Sequence, residues 1–186
     1  MNSIFENIEQ IPVCKIESVD NALELAEKIQ SAGLKCMEIT FRTTNGGEGF
    51  KMIAEAIKTV SLKFPSLLVG AGTVVNKKLA AMAIASGAKF IVSAGFNPQT
   101  VKYCLKKKVP VVPGVCTPTE IENAMNYGLN LLKFFPAEMM GGTDMLKAFA
   151  GPFSNVKFVA TGGINRDNMQ KYLELKNVAA VGYSFK

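Results

Sequence analysis

The pattern that most restricts how this chain can fold is short and recurs three times: a helix, a glycine, then a brief apolar strand. It runs Ala32-Gly33-Leu34-Lys35-Cys36-Met37-Glu38, then Ser86-Gly87-Ala88-Lys89-Phe90-Ile91-Val92, then Tyr127-Gly128-Leu129-Asn130-Leu131-Leu132-Lys133. Each glycine suits a left-handed helix cap, and each run after it is apolar on both faces, as in a strand buried within a parallel sheet. Further strands are expected at 12–16, 67–70, 110–112, 157–160 and 178–182. Helices are expected at 19–32, 49–63, 77–86, 99–107, 119–127, 143–149 and 165–175. Strands and helices alternating at this spacing imply an α/β fold, and eight strands is the number of a (β/α)₈ barrel. An open, doubly wound sheet is the alternative. There is no linker or low-complexity run, so residues 1–186 are expected to form one domain.

The repeat also carries register. Glu38 and Lys133 each stand five residues after their glycine, on the second and sixth expected strands. Alternate strands of a barrel fill the same interior layer. Both side chains should therefore point inward at similar height near the C-terminal rim. Val92, at the same offset on the fourth strand, would be an apolar wall. A slip of one residue would reverse this.

Lys133 lies in Asn130-Leu131-Leu132-Lys133-Phe134-Phe135-Pro136, where burial of an ammonium is costly and lowers its pKa. An ordinary lysine, with pKa near ~10.4, is only about 0.1% neutral at pH ~7.4, so a lowered pKa creates a nucleophilic amine. A lysine that snorkels to the strand end is the other reading. The chain contains no histidine. That removes Ser-His-Asp and Cys-His machinery and the usual zinc sites. Proton chemistry must then rest on carboxylates, lysine, tyrosine, hydroxyls or water.

Four cysteines without CxxC spacing indicate reduced thiols in a cytoplasmic protein. Cys116, with no imidazole to activate it, reads as a bystander. No segment reaches the ~18 apolar residues of a membrane span, and the first residues lack the pattern of a signal peptide. The net charge of +6 invites a nucleic-acid reading. Its densest run, Lys106-Lys107-Lys108, is better explained by the end of a helix, whose dipole favours cations.

Other clusters fall at expected strand ends: Gly70-Ala71-Gly72-Thr73, Pro113-Gly114-Val115-Cys116-Thr117, Thr161-Gly162-Gly163-Ile164 and Gly182-Tyr183-Ser184. Barrel enzymes often hold phosphate in the loops after strands seven and eight, and a Gly-Gly turn leading into a helix brings backbone amides close to an anion. Gly162 and Gly163, with Gly182 and Ser184, fit that arrangement, although such a turn can also be only a turn. On the second strand's exit, Glu38-Ile39-Thr40-Phe41-Arg42-Thr43 reads either as a solvated loop with a local ion pair or as a proton-transfer group beside a carboxylate clamp.

Glu38-Ile39-Thr40-x-Arg42-Thr43, Gly70-Ala71-Gly72-Thr73-Val74, Pro113-Gly114-Val115, Leu132-Lys133-Phe134-Phe135-Pro136-Ala137-Glu138, Gly151-Pro152-Phe153 and Thr161-Gly162-Gly163-Ile164 resemble the 2-keto-3-deoxy-6-phosphogluconate / 4-hydroxy-2-oxoglutarate aldolase family over nearly the whole chain. The resemblance implies a (β/α)₈ barrel, usually a homotrimer, that cleaves a 2-keto acid to pyruvate and an aldehyde with no metal or cofactor. By position, Lys133 would form the imine and Glu38 would shuttle protons through water. Arg42 and Thr73 would hold the pyruvate carboxylate, Thr161 would lie close to the substrate, and Gly162, Gly163 and Ser184 would bind a distal phosphate.

Four departures from the family pattern carry expectations. Lys15 takes the place of an arginine that contacts substrate, keeping the charge but not the planar fork. Ser93-Ala94-Gly95 replaces Ser-Pro-Gly, loosening that wall, and Tyr183 replaces a small residue in the phosphate loop. The sequence ends at Lys186, where the family continues into a last helix. The last strand is therefore expected to be covered by an N-terminal helix or a neighbouring subunit. A phosphosugar epimerase or isomerase, and a non-catalytic phospho-ligand barrel, remain the alternative functions.

Overall fold

Why the chain closes into a barrel follows from its strand order. The computed structural model describes residues 4–186. Among them nine strands, all parallel, line up as β5-β4-β3-β2-β1-β9-β8-β7-β6. They are β1 (Gln10–Cys14), β2 (Cys36–Thr40), β3 (Leu68–Gly72), β4 (Ile91–Val92), β5 (Val111–Val112), β6 (Gly114–Val115), β7 (Leu131–Phe134), β8 (Lys157–Thr161) and β9 (Val178–Ser184). The two ends of this order, β5 and β6, flank Pro113: β5 falls in the fifth expected strand, 110–112, and β6 in the segment expected to follow it. Proline has no N–H to give a neighbouring strand and so interrupts the ladder. Its carbonyl still accepts from the Lys133 N–H at 2.9 Å, which carries the barrel across the gap.

Among the described residues seven α-helices wrap the strands: α1 (Val19–Ser31), α2 (Gly46–Lys63), α3 (Lys77–Ala85), α4 (Pro98–Lys106), α5 (Pro118–Met125), α6 (Gly142–Ala150) and α7 (Met169–Leu173). Their starts follow from local chemistry. Ser18 caps α1 by accepting from the Asn21 N–H, and α1 buries Ala22, Leu25, Ala26 and Ile29, the face a 3.6-residue period dictates. Asn97 caps α4 with Pro98 in the first turn, and Thr117 and Glu120 form a capping box on α5. The repeat glycines Gly33, Gly87 and Gly128 have φ of 73°, 95° and 73°, the left-handed caps expected of them.

The barrel interior is packed. Phe5, Ile11, Cys36, Phe90, Val92, Val112, Val159 and Ala180 form one buried cluster, and the inward residues of β2, β7 and β8 stack above it. Residues 4–7 form a turn, where a helix was expected ahead of β1. Phe5 enters this cluster and meets the Phe90 ring edge-on at 5.0 Å. The first described residues therefore plug the bottom of the barrel and do not cover its last strand. That strand is not bare: on β9, Val181 is fully buried and Tyr183 nearly so, both in the cluster that holds Tyr172 of α7. Tyr183 thus serves the outer packing layer, with Phe185 edge-on to it. Among the described residues no helix is long and apolar enough to cross a membrane.

Candidate active site

Lys133 and Glu38 meet inside the barrel at its C-terminal end. Lys133 is 2% exposed and Glu38 is 3% exposed. Register explains why both point inward. Val13 pairs with Glu38, Glu38 with Gly70, Gly114 with Lys133 and Lys133 with Val159; partners across a parallel ladder face the same side. The equal offset from the helix-capping glycines therefore holds.

Burial pulls the Lys133 amine below its ordinary 10.5. The Glu38 charge opposes this, and the Arg42 guanidinium adds to it. The Phe135 ring lies 4.9 Å from Nζ. An aromatic face at that distance favours a cation, whether ammonium or iminium. Only the neutral amine attacks a carbonyl, so adduct formation with pyruvate should be lost as pH falls through the lowered pKa and should level off well before 10.5. Borohydride trapping rates measured from pH 5 to pH 10.5 check this, and a rate still climbing at the upper end contradicts a lowered amine pKa.

Glu38 owes its place to a glycine. A Cβ on Gly72 would fall 1.8 Å from Glu38 Oε1 and 2.5 Å from its Cδ. The neighbouring Gly70 makes the same allowance for the Phe90 ring, which a Cβ would meet at 2.3 Å. β3 thus gives up two side chains so that one carboxylate and one ring can fill the interior. Among the described residues, Glu38 Oε1 is buried with no hydrogen-bond partner, so the carboxylate keeps unused acceptor capacity. Burial and then the Glu38 charge push the Cys14 thiol up to about 12, and they raise Cys36 as well. Neither is a thiolate nucleophile at neutral pH. Cys116, raised by burial and by Glu120, is also no thiolate.

The Arg42 Nε donates to Thr73 Oγ1 at 3.0 Å. Thr73 sits at φ 56°, a backbone region costly for a β-branched residue and found most often at functional sites. Thr161 is inward and 8% exposed, and its Oγ1 would lie 2.6 Å from a Cβ on Gly182, so that position also must be glycine. Gly162 and Gly163 take φ of 100° and 80°. They do not lead straight into a helix, as the sequence suggested. Asn165 and Asn168 form a turn first, and α7 begins only at Met169. Asn165 accepts from the Asp167 and Asn168 N–H groups, and these side-chain bonds compete with helix.

Ser184 is exposed at the rim, one ladder partner from Val13. Lys15 is exposed just past β1 and makes no ion pair among the described residues. The structure therefore brings Lys133, Glu38 and Arg42 into one electrostatic group with Thr73 attached. It sets Thr161, Gly162, Gly163 and Ser184 along the adjoining β8–β9 rim and leaves Lys15 at the edge. In Ser93-Ala94-Gly95, Ala94 and Gly95 are exposed and Ser93 is buried, and a Cβ on Gly114 would strike the Ala94 carbonyl at 2.0 Å. Two contributors escaped the sequence reading. Phe135 was visible only as the second of two phenylalanines after Lys133, and Gly72 only as part of a glycine cluster.

A nearly closed parallel barrel that buries one lysine beside one carboxylate, with a guanidinium at its mouth, is the framework of an enzyme working through a lysine imine. The description "Aldolase: KDPG and KHG aldolase" fits residues 1–185. The chain belongs to this KDPG and KHG aldolase family. It is 44% identical to the 2-dehydro-3-deoxy-phosphogluconate aldolase of Treponema pallidum, over all of this chain and 86% of that protein. It is 37% identical to the KHG/KDPG aldolase of Escherichia coli K12, over 94% of this chain and 79% of that protein. Among solved structures, the KDPG aldolase of Legionella pneumophila, with pyruvate captured as a covalent carbinolamine, superposes with a TM-score of 0.89 at 38% identity, over 97% of this chain and 84% of that one. The Zymomonas mobilis aldolase with 3-phosphoglycerate superposes at 0.90 and 35% identity, over 99% and 84%.

Proposed function

We propose that this chain is a class I, metal-independent aldolase. It cleaves 2-keto-3-deoxy-6-phosphogluconate to pyruvate and glyceraldehyde 3-phosphate, and 4-hydroxy-2-oxoglutarate to pyruvate and glyoxylate. The observation that carries this reading is the buried Lys133 amine, its pKa lowered, in the same enclosure as Glu38. The neutral amine adds to the C2 carbonyl; a proton taken from solvent water lets the carbinolamine hydroxyl leave as water, and a protonated imine remains. As the C4 hydroxyl gives its proton through water to Glu38, the C3–C4 bond breaks and its electron pair moves into the iminium, forming an enamine. Glu38 returns the proton to C3, and hydrolysis frees pyruvate and Lys133.

Arg42 and Thr73 hold the carboxylate of the keto acid. Arg42 can present a planar pair of donors, and its bond to Thr73 orients the guanidinium. Thr161 lines the wall beside the substrate. Gly162, Gly163 and Ser184 take the distal phosphate, with Lys15 adding charge at the edge. If the phosphate is held there, kcat/KM for the phosphorylated six-carbon acid exceeds that for 4-hydroxy-2-oxoglutarate by about tenfold or more, since remote binding energy supports the chemical step. Equal values would remove the phosphate assignment, and absence of pyruvate release from both would leave a binding protein.

Family resemblance supports two further proposals. A homotrimer is expected, and sedimentation equilibrium yielding a single-chain mass contradicts it. The four free cysteines suit the cytoplasm, and recovery of the activity outside the cytoplasmic fraction contradicts that placement.

A further inference from the structure

Behind the Gly162-Gly163 turn lies a polar cluster that the imine chemistry does not use. Tyr172, on α7, is fully buried, and its hydroxyl donates to Glu138 Oε1. Lys171 Nζ stands 3.2 Å from the same oxygen. That hydrogen bond, helped by Lys171, holds the Glu138 carboxyl below the usual carboxylate range. Burial, and then Glu138, keep the Tyr172 phenol protonated, so it remains a donor.

Four segments converge on this pair. A Cβ on Gly163 would fall 2.7 Å from Glu138 Cβ and Cγ, so the Glu138 stem is the floor under that glycine. The Glu138 N–H donates to the Gly162 carbonyl at 3.0 Å, and the Ala137 N–H donates to the Thr161 carbonyl at 2.8 Å. Asn168, just ahead of α7, donates from Nδ2 to the Gly163 carbonyl at 2.9 Å. Gly142, at the start of α6, would place a Cβ 3.0 Å from the Tyr172 hydroxyl. One hydrogen bond therefore ties together the loop after β7, the turn after β8, the first turn of α6, and α7.

We propose that Glu138 and Tyr172 are positioning residues for the substrate phosphate, locking the Gly162-Gly163 turn in the shape that presents its backbone N–H groups to the anion. The inference rests on the reading above that this turn holds the phosphate. Two successive glycines have wide conformational freedom, and an anion site built from them loses affinity to ordering unless the ordering is done beforehand. Glu138 supplies the floor, Tyr172 holds the floor in place, and Lys171 offsets a negative charge that would otherwise repel the ligand. Neither Glu138 nor Tyr172 needs to touch phosphate or Lys133.

Tyr172→Phe removes only the hydroxyl. Steady-state kinetics should show KM for the phosphorylated six-carbon acid raised about tenfold, with kcat and the constants for 4-hydroxy-2-oxoglutarate within about twofold of wild type. Inorganic phosphate, used as an inhibitor of 4-hydroxy-2-oxoglutarate cleavage, should weaken in parallel. Equal losses on both substrates, or no change on either, overturn the proposal. Should Tyr172→Phe fail to fold, Glu138→Gln keeps the stem and an acceptor but removes the charge, and the same split is expected at about threefold. Wild-type kinetics in the same experiment separate the two ideas. A wild type indifferent to phosphate sinks the phosphate assignment, whereas a phosphate-preferring wild type with unaffected variants sinks the positioning role alone.

Discussion

Lys133→Ala is expected to lose the borohydride-trapped pyruvate adduct entirely and to lower kcat by on the order of 10³-fold or more, the scale of removing a covalent nucleophile. The wild-type protein, treated with pyruvate and borohydride, should carry its added mass on the peptide containing Lys133. Two features make this the sharpest test. The lysine is almost completely shielded, and burial is the leading cause of its lowered pKa. Other lysines, such as Lys15, Lys102 and Lys157, face solvent and lack that shielding. An adduct on any of them, or none at all, ends the imine mechanism for this chain.

Gly72→Ala should be nearly as damaging, although Gly72 contributes no chemistry. The new methyl would lie inside the van der Waals envelope of the Glu38 carboxylate, 1.8 Å from Oε1. Glu38 must then leave its position, and kcat should fall by about 10²-fold or more, within the range that general acid–base groups contribute. Overpacking of this kind also costs about 1–3 kcal/mol of stability, seen as a lower Tm. Lys133 is untouched, so adduct formation with pyruvate should persist while turnover collapses. In a Glu38→Ala background the clash partner is gone, so Gly72→Ala should add little. A double-mutant cycle in which the two losses simply add would show that Gly72 does not act through Glu38. A Gly72→Ala enzyme with wild-type kcat would refute the proton-transfer role at this position.

Much of the fold was legible because its signals are local. The left-handed glycines at 33, 87 and 128 need only their own backbone and the strand that follows. Helix starts at Ser18, Asn97 and Thr117 are written in three or four consecutive residues. Where reading failed, a local signal was overruled or misleading. Asn165 and Asn168 bond backbone groups within their own turn and delay α7 until Met169, although the segment scans as helix from 165. Gly114 and Val115, expected to lie beyond the fifth strand, form a short strand of their own past Pro113 and pair with β7. The residues before β1 turn inward because Phe5 finds the open bottom of the barrel beside Phe90, a destination that no nearby residue announces.

The site divides along the same line. That Lys133 and Glu38 share a layer could be inferred from equal spacing, because strand periodicity is regular and barrel strands alternate in their layers. That Arg42 would be held by Thr73, 31 residues away, or Tyr172 by Glu138, 34 residues away, could not.

By itself the chain determined an alternating α/β fold, a lysine set within an apolar strand, and the absence of imidazole chemistry, since composition and period need no knowledge of neighbours. Only the folded barrel decided which glycine makes room for Glu38, which hydroxyl steadies Arg42, and what supports the Gly162-Gly163 turn. Those contacts depend on how far each strand is staggered against the next. A slip of a single residue turns every side chain to the other face, so they exist only once the whole sheet has closed.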